Sequence, residues 1–239
     1  MMSKIRFSRT RNAPVRCTGG DGSLAFLAPF AALVLFVPHA PPGVARAAAR
    51  QGPLGAYGPV LGAGTLGAGR AWVWEADSGI YVTADSGAHW KKVTPYGSGD
   101  PANVLGVEFL NAERAWAAIA VPDGKRVGVK VWRTEDGGKG WTAVRLPSSF
   151  PTGYDRAYLD FLPAGNGFVL VQLYHRAGSP GKGNLFYTAN WGATWSEVDA
   201  AAPVDAGIWF TSAHDGFGMD AKGTLWNTGD GGKQWIRSA

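Results

Sequence analysis

One eight-residue pattern occurs four times in this chain and limits the folds that the chain can adopt. The pattern reads Thr, any residue, Asp or Asn, any residue, Gly, any two residues, Trp. We call it the octet, and its copies are Thr83–Trp90, Thr134–Trp141, Thr188–Trp195 and Thr228–Trp235. Each copy follows a short apolar or aromatic run, as a turn between two strands does. Asp or Asn can hydrogen-bond the backbone of its own turn, and Gly tolerates a positive φ angle. The octet therefore predicts four β-hairpins.

A second feature recurs with the same spacing along the chain. Two aromatic residues stand seven positions apart, and we call them the first and second aromatic of each repeat. The pairs are Phe109 and Trp116, Phe161 and Phe168, and Phe210 and Phe217, while a degenerate fourth copy has Thr65 before Trp72. Each repeat then reads strand A, turn, strand B, loop, strand C, octet turn, strand D. Four antiparallel strands per repeat are typical of a β-propeller blade.

The predicted fold is therefore an all-β propeller over residues 50–239, with blades near 55–98, 99–147, 148–199 and 200–239. No stretch shows the sustained 3.6-residue apolar period of a long helix. All 11 Trp residues lie from Trp72 onward, and large aromatic side chains can cover the faces of stacked blades. Because an unpaired sheet edge favours association, three alternatives stay open. The four blades form a small or open propeller, two chains complete one another, or the sequence is a fragment.

The octets resemble the Asp-box, or BNR, repeat of sialidase-like β-propellers. The wider context is most similar to propellers of the photosystem II stability and assembly factor type, and the resemblance covers about residues 55–239. It implies a propeller fold, but the same repeat occurs in sialidases, xyloglucanases, sortilin-like receptors and assembly factors. In such families these turns lie opposite the substrate site. A structural role is therefore expected for eight residues, namely Asp85, Trp90, Asp136, Trp141, Asn190, Trp195, Asp230 and Trp235.

The first 49 residues do not belong to the repeats. Several basic residues precede an apolar run of 14 residues, Leu24–Val37, and small residues follow around Ala47. This order is typical of a secretory signal peptide, and the run is short for a membrane span, which needs about 20 residues. We expect export to the extracellular space or the periplasm. The alternative is an uncleaved leader that anchors the protein to the membrane.

The charge of the chain argues against nucleic-acid binding. The net charge is +5, but residues 1–47 carry six Lys or Arg and one acidic residue. The remaining 17 basic and 17 acidic residues cancel, so the predicted propeller lacks the basic balance that phosphate binding favours. The one cysteine, Cys17, lies in the predicted leader. The rest of the chain can form neither a disulfide nor a thiolate metal site, and we predict no cofactor or metal.

Loop lengths indicate a binding face. The distance from the second aromatic to the Asp or Asn of the octet is 13 residues in repeats one and four, but 20 and 22 in repeats two and three. The extra residues are expected in the loops between strands B and C, around 121–127 and 174–184. Loops on a rigid scaffold often carry binding sites. The candidate binding residues there and in the preceding segment of repeat three are Lys125, Arg126, Tyr154, Arg156, His175, Arg176 and Lys182.

We interpret these loops as a positive patch for a protein partner or an anionic glycan, with ordinary solvated hairpins as the alternative. The best candidate catalytic pair is Glu108 and Asp160, since each directly precedes a first aromatic in adjacent repeats. A glycosidase needs two carboxyl groups roughly 5–9.5 Å apart. The alternative is that both face a solvated channel without catalysing a reaction. The sequence thus favours a non-enzymatic, exported binding or assembly module, with a sialidase-like, glycan-active hydrolase or a carbohydrate-binding protein as the second interpretation.

Overall fold

The computed structural model describes residues 59–76, 78–95, 97, 103–151, 156–172 and 182–238, all within one compact unit, Arg46–Ala239. The predicted leader and the candidate binding residues Tyr154, His175 and Arg176 lie outside the described residues. Within these ranges the chain is built of β-strands and turns, and none of its segments is a helix able to cross a bilayer.

The strands form four antiparallel sheets of four strands each, and every sheet uses consecutive strands in chain order. Blade one consists of β1 (Val60–Gly67), β2 (Arg70–Glu75), β3 (Gly79–Thr83) and β4 (Lys91–Lys92). Blade two consists of β5 (Val104–Phe109), β6 (Ala115–Asp123), β7 (Arg126–Thr134) and β8 (Thr142–Phe150). Blade three consists of β9 (Arg156–Phe161), β10 (Gly167–Gln172), β11 (Gly183–Thr188) and β12 (Ser196–Ala202). Blade four consists of β13 (Gly207–Phe210), β14 (Gly216–Met219), β15 (Leu225–Thr228) and β16 (Ile236–Arg237).

The prediction of an all-β chain with four four-stranded blades is confirmed. Successive blades stack face to face through the repeated aromatics. The second aromatic of one blade packs on the first aromatic of the next, with ring centroids 5.2 Å apart for Trp72 and Phe109. The same distance is 3.6 Å for Trp116 and Phe161. We call the face of a blade that covers the next blade its forward face, and the opposite one its rear face.

The hydrophobic core lies between the blades. One buried cluster joins blades one and two, a second joins blades two and three, and a third joins blades three and four. In the third cluster, Phe168 and Leu185 on the forward face of blade three pack with Ile208 and Phe210 on the rear face of blade four. Because a single twisted sheet cannot cover its own two faces, stacking of neighbours supplies the burial that one blade lacks.

The strand register places one more repeated position on the forward face. The residue just before each first aromatic pairs directly with the second aromatic across strands A and B. The pairs are Gly64 with Trp72, Glu108 with Trp116, Asp160 with Phe168, and Trp209 with Phe217. Directly opposed residues of an antiparallel pair project to the same side of a sheet. The candidate carboxylates Glu108 and Asp160 therefore point toward the following blade.

Candidate functional site

Each octet is held together by hydrogen bonds among its own residues, as the copy in blade two shows. The Thr134 hydroxyl donates to Asp136 Oδ1 at 2.8 Å. The same hydroxyl oxygen accepts from the backbone N–H of Gly138 at 2.9 Å. Asp136 Oδ1 also accepts from the N–H groups of Lys139 and Gly140, at 3.0 and 2.9 Å. One carboxylate thus binds three donors within eight residues, which fixes the shape of the turn.

Three of these bonds recur in the other three octets, namely the bond from the Thr hydroxyl to the Asp or Asn side chain and the bonds that the N–H groups of the fifth and seventh residues donate. A further bond ties each octet to its own blade. The N–H of the fourth octet residue donates to a carbonyl in the turn between strands A and B, as from Gly231 to His214 O at 2.8 Å. The fourth and fifth residues both have positive φ angles, 77° and 89° at Gly231 and Gly232. Gly adopts this conformation at no steric cost. A Cβ on Gly232 would lie 2.2 Å from Leu185 Cδ2, so the octet also packs closely on the preceding blade.

The acidic octet residues are ionised hydrogen-bond acceptors at the surface. The backbone N–H of His89 holds the pKa of Asp85 at about 2, well below its ordinary range. The N–H groups of Gly140 and Gln234 are the main cause of the lowered pKa values of Asp136 and Asp230. In the third octet an amide stands in the same place, where Asn190 Oδ1 accepts from Thr194 N–H at 2.9 Å.

The octet tryptophans lie against neighbouring blades or beside an open groove. Trp141 Nε1 donates to the carbonyl of Val93 in blade one at 2.9 Å. Trp195 and Trp235 pack against the clusters that join their blades to the preceding ones. Trp90, in the first blade, lines a groove on the rear face. Within the described part of the chain, no group of three His, Cys, Asp or Glu side chains is placed to hold a metal ion.

The two candidate catalytic carboxylates tie neighbouring blades together. Glu108 Oε1 accepts from the backbone N–H of Phe161 at 3.1 Å, which joins blade two to blade three. Asp160 Oδ2 accepts from the N–H of Phe210, which joins blade three to blade four in the same way. The expected alternative, a carboxyl group facing a solvated channel, is wrong for Glu108, because its second oxygen, Oε2, is buried.

Burial dominates the electrostatics of both carboxyl groups. It raises the pKa of Glu108 to about 8, while the N–H of Phe161 opposes the shift and the charge of Asp160 adds to it. Burial also raises the pKa of Asp160, against the N–H of Phe210. A carboxyl group that is desolvated in this way favours its neutral form. Glu108 is therefore largely protonated at pH 7.

A cavity of about 220 Å³ lies where the four inner strands β1, β5, β9 and β13 approach one another. Its lining is mostly backbone and apolar side chains, and among the described residues that line it Arg156 is the single charged one. Tyr158, Trp74 and Trp209 add aromatic surface. Trp209 is 52% exposed, so its ring is open to an incoming group. Neither Glu108 nor Asp160 contributes to the lining.

The other basic candidates lie on hairpins away from the lining of this cavity. The sequence predicted a loop at 121–127, but β6 and β7 extend through most of it as a long hairpin, with Lys125 at the exposed tip beside Gly124. Arg126 Nε donates to Ser149 Oγ at 3.0 Å, so its guanidinium is already bonded within blade two. Lys182 is exposed and immediately precedes β11. Arg156, at the start of β9, is the described candidate that reaches the cavity.

The three aromatic residues that line the cavity, Tyr158, Trp74 and Trp209, were not among the sequence-predicted site residues. A signal for Trp209 was present, since it occupies the same repeat position as Glu108 and Asp160 but carries an aromatic ring. Tyr158 stands two residues after Arg156 on the same strand and therefore on the same face. Burial raises the pKa of Tyr158, with Arg156 opposing the shift, so the phenol keeps its proton at neutral pH.

Comparisons with known proteins identify the fold but no family. No protein-family model matches this chain, and no curated protein matches it. Among solved structures, an ancestral GH74 enzyme is 15% identical over 77% of this chain and 24% of its own, with a TM-score of 0.52. The GH74 enzyme of Niastella koreensis is 13% identical over 72% of this chain and 28% of its own, with a TM-score of 0.50.

A third similar structure, YCF48 bound to D1 peptide, is 20% identical over 56% of this chain and 40% of its own, with a TM-score of 0.41. The chain spans about a quarter of the length of the two GH74 enzymes. Together with the four stacked sheets, the likeness to those enzymes shows a β-propeller fold. At these identities a shared fold does not carry a shared activity.

Proposed function

We propose that this chain is a non-enzymatic propeller of the Asp-box, or BNR, repeat type that binds a protein partner through the face around its central cavity. The observation that carries the proposal is the composition of that cavity. Arg156 is the charged residue of the lining, and aromatic side chains form part of it. The inner-strand carboxylates Glu108 and Asp160 do not line it, because each accepts a hydrogen bond from the next blade. This is the chemistry of a receptor for an anionic group.

The groups in the cavity suit a carboxylate on a short segment of a partner. A guanidinium can form two parallel hydrogen bonds to one carboxylate, which gives direction as well as attraction. The neutral phenol of Tyr158 can donate a further hydrogen bond, and the exposed ring of Trp209 offers a surface for an apolar neighbour of the charged group. At about 220 Å³ the cavity is smaller than the roughly 300–1,000 Å³ of sites for drug-sized ligands. We therefore favour an acidic side chain or chain terminus as the inserted group.

The basic hairpin residues support the same partner. Lys125 at the tip of the β6–β7 hairpin and Lys182 before β11 are exposed cations on the loops between strands B and C. In a propeller these loops share one face, together with the connections that lead into the inner strands. Exposed charges of one sign raise the rate at which an oppositely charged partner arrives, and they do so less at high salt.

Titration with a labelled acidic peptide tests the proposal directly. The probe is an Asp- and Glu-rich peptide with one aromatic residue and a free carboxyl terminus, and fluorescence anisotropy measures its binding to the full chain. We expect binding that weakens with salt and that falls at least about tenfold in Arg156→Ser, the loss of a charge-assisted pair. Arg237→Ser, an exposed substitution on β16, is the matched control and should bind as the wild type does. Equal binding by Arg156→Ser and the wild type would contradict the proposal.

An anionic glycan is the second ligand class that this cavity chemistry suits, because a uronic acid or sulfate group also pairs with Arg156. The same titration with a sulfated and a carboxylated oligosaccharide separates the two classes. If the oligosaccharides bind more strongly than the peptide, the partner is a glycan and not a protein. Loss of both interactions in Arg156→Ser would still place the site in the cavity.

A glycan-active hydrolase is a second candidate function, and it requires Glu108 to leave its bond to Phe161, since neither Glu108 nor Asp160 lines the cavity. A carboxyl group that holds its proton at neutral pH can act as a general acid, and the charge of Asp160 contributes to the raised pKa of Glu108. Chromogenic glycosides, including a sialoside, test this function. Turnover that disappears in Glu108→Gln or Asp160→Asn would favour the hydrolase, whereas an inert panel would favour the binding module.

A further inference from the structure

Among the described residues, none stacks on the forward face of blade four, whereas a following blade covers the forward face of each other blade. In each blade, the residue three positions before the octet lies on the forward face. It is Ile80 in blade one, Val131 in blade two and Leu185 in blade three. These three side chains are 0%, 1% and 0% exposed. The equivalent Leu225 in blade four is 51% exposed. The same sheet position is thus apolar in every blade, but in blade four the side chain lies open.

The second aromatic shows the same contrast. Trp116 and Phe168 are 1% and 0% exposed because the first aromatic of the next blade stacks on each of them. Phe217, at the equivalent position in blade four, is 49% exposed. The forward face of blade four therefore presents a ring and an isobutyl group at the two positions that neighbouring blades bury elsewhere.

In blades one to three, the octet of the following blade lies against the forward face, where these two apolar positions are found. The fifth octet residue is always Gly, and in blades two to four a Cβ there would come within 3.3 Å or less of an atom of the preceding blade. On Gly138 it would lie 2.7 Å from Val93 Cβ, and on Gly232 it would lie 2.2 Å from Leu185 Cδ2. In blade one the nearest atoms to such a Cβ on Gly87 belong to Trp90 of the same octet, at 3.8 Å. The octet of blade one therefore has room for a preceding blade.

An open groove of about 450 Å³ lies at that place on the rear face of blade one. Its lining includes Thr65, Ala71, Gly87 and Trp90. Thr65 stands where the other blades carry the first aromatic, so the ring that would fill the groove is absent. Apart from Arg70, small side chains beside the ring of Trp90 leave a largely apolar socket, of the kind that an inserted Phe or Leu fills.

We infer that blade four of one copy docks on blade one of a second copy. Leu225 would enter beside Gly87, as Leu185 lies beside Gly232, and Phe217 would occupy the space above Thr65. At the three interfaces within the chain, the forward face of one blade packs against the octet of the next blade, beside the Gly at the fifth octet position. Blade one of a second copy offers the same kind of surface because, among the described residues, no other blade packs against its own octet Gly, Gly87. A second copy is therefore the occupant. Each copy has both faces, so the contact is heterologous and two copies can close on one another. Burial of two large apolar groups favours the association.

Mixed cross-linking tests this contact on the full chain, in a Cys17→Ser background that removes the native thiol. Phe217→Cys and Thr65→Cys are made on separate copies, mixed and treated with a bifunctional thiol reagent whose arm spans the roughly 10 Å between two stacked sheets. We expect a cross-linked pair in the mixture and little from either variant alone, because the two positions face one another across the proposed contact. The control pairs Thr65→Cys with Lys222→Cys, an exposed residue in the turn between β14 and β15. Equal cross-linking of the control pair would overturn the inference.

Sedimentation of the unmodified chain gives an independent readout. We expect a mass of at least twice 25.2 kDa at tens of micromolar protein, and a return to one chain in Leu225→Asp. Circular dichroism and Trp fluorescence of the variant establish that it remains folded. A mass of one chain for the wild type would overturn the inference. Phe217 lies directly opposite Trp209, which lines the central cavity, but Leu225 does not line it. The effect of Leu225→Asp on the mass therefore separates this contact from the peptide titration.

Discussion

Replacement of Glu108 by Gln should remove a pH-dependent cost of folding. The carboxyl group has a pKa of about 8 in the folded protein, against an ordinary value of 4.5. Between these values the unfolded chain releases a proton that the folded chain retains. Because the pKa of this acid is raised in the folded protein, the free energy of unfolding is not reduced below pH 4.5 and decreases as the pH rises toward 8. The free energy of unfolding falls by about 1.4 kcal/mol per pH unit over that window. The cost reaches about 3 kcal/mol at pH 7.

The Gln side chain keeps an oxygen that can accept from the N–H of Phe161 but has no proton to release. Urea unfolding of both proteins at pH 5, 6, 7 and 8 measures the effect. The stability of Glu108→Gln relative to the wild type should rise by about 2.5 kcal/mol between pH 5 and 7. Glu113→Gln makes the same chemical change in the exposed turn before β6 and is the matched control. Parallel curves for Glu108→Gln and the wild type would refute the reasoning.

Three further predictions concern the turns and the leader. Asp136→Ala should lower the melting temperature by removing the acceptor of three hydrogen bonds, whereas Asp136→Asn should lower it less, because Asn190 does the same work in the third octet. A smaller melting shift for Ala than for Asn would contradict this role. Gly232→Ala should cost more than Gly223→Ala in urea unfolding, since both have positive φ but only the first would collide with a leucine of blade three. Mass spectrometry of the exported protein should show a new N-terminus near residues 47–49, and an intact N-terminus would favour the anchor.

The blades could be predicted because their determinants are local. A Thr hydroxyl, an Asp or Asn side-chain oxygen and a Gly with positive φ meet within a single octet. The bonds that shape the turn, such as that from Thr134 to Asp136, involve residues two to four positions apart. Four copies of such a turn between apolar runs indicate repeated four-stranded sheets without knowledge of any distant contact.

The roles of the carboxylates could not be predicted in the same way. Glu108 and Asp160 are recognisable as matched positions, but their partners are backbone N–H groups about 50 residues later in the next blade. The long β6–β7 hairpin was also missed, because Pro122, Asp123 and Gly124 are typical of a loop. Pairing of β7 with β8 and the ion pair from Arg145 to Asp123, 2.6 Å long, extend the strands instead.

The central claim is that the inner-strand carboxylates join blades while the cavity at Arg156 binds the ligand. A crystal structure of the chain with the acidic peptide tests it most directly. We predict a peptide carboxylate within hydrogen-bond distance of the Arg156 guanidinium, with Glu108 still accepting from the N–H of Phe161. A ligand seated between Glu108 and Asp160, with those blade joints broken, would contradict the account.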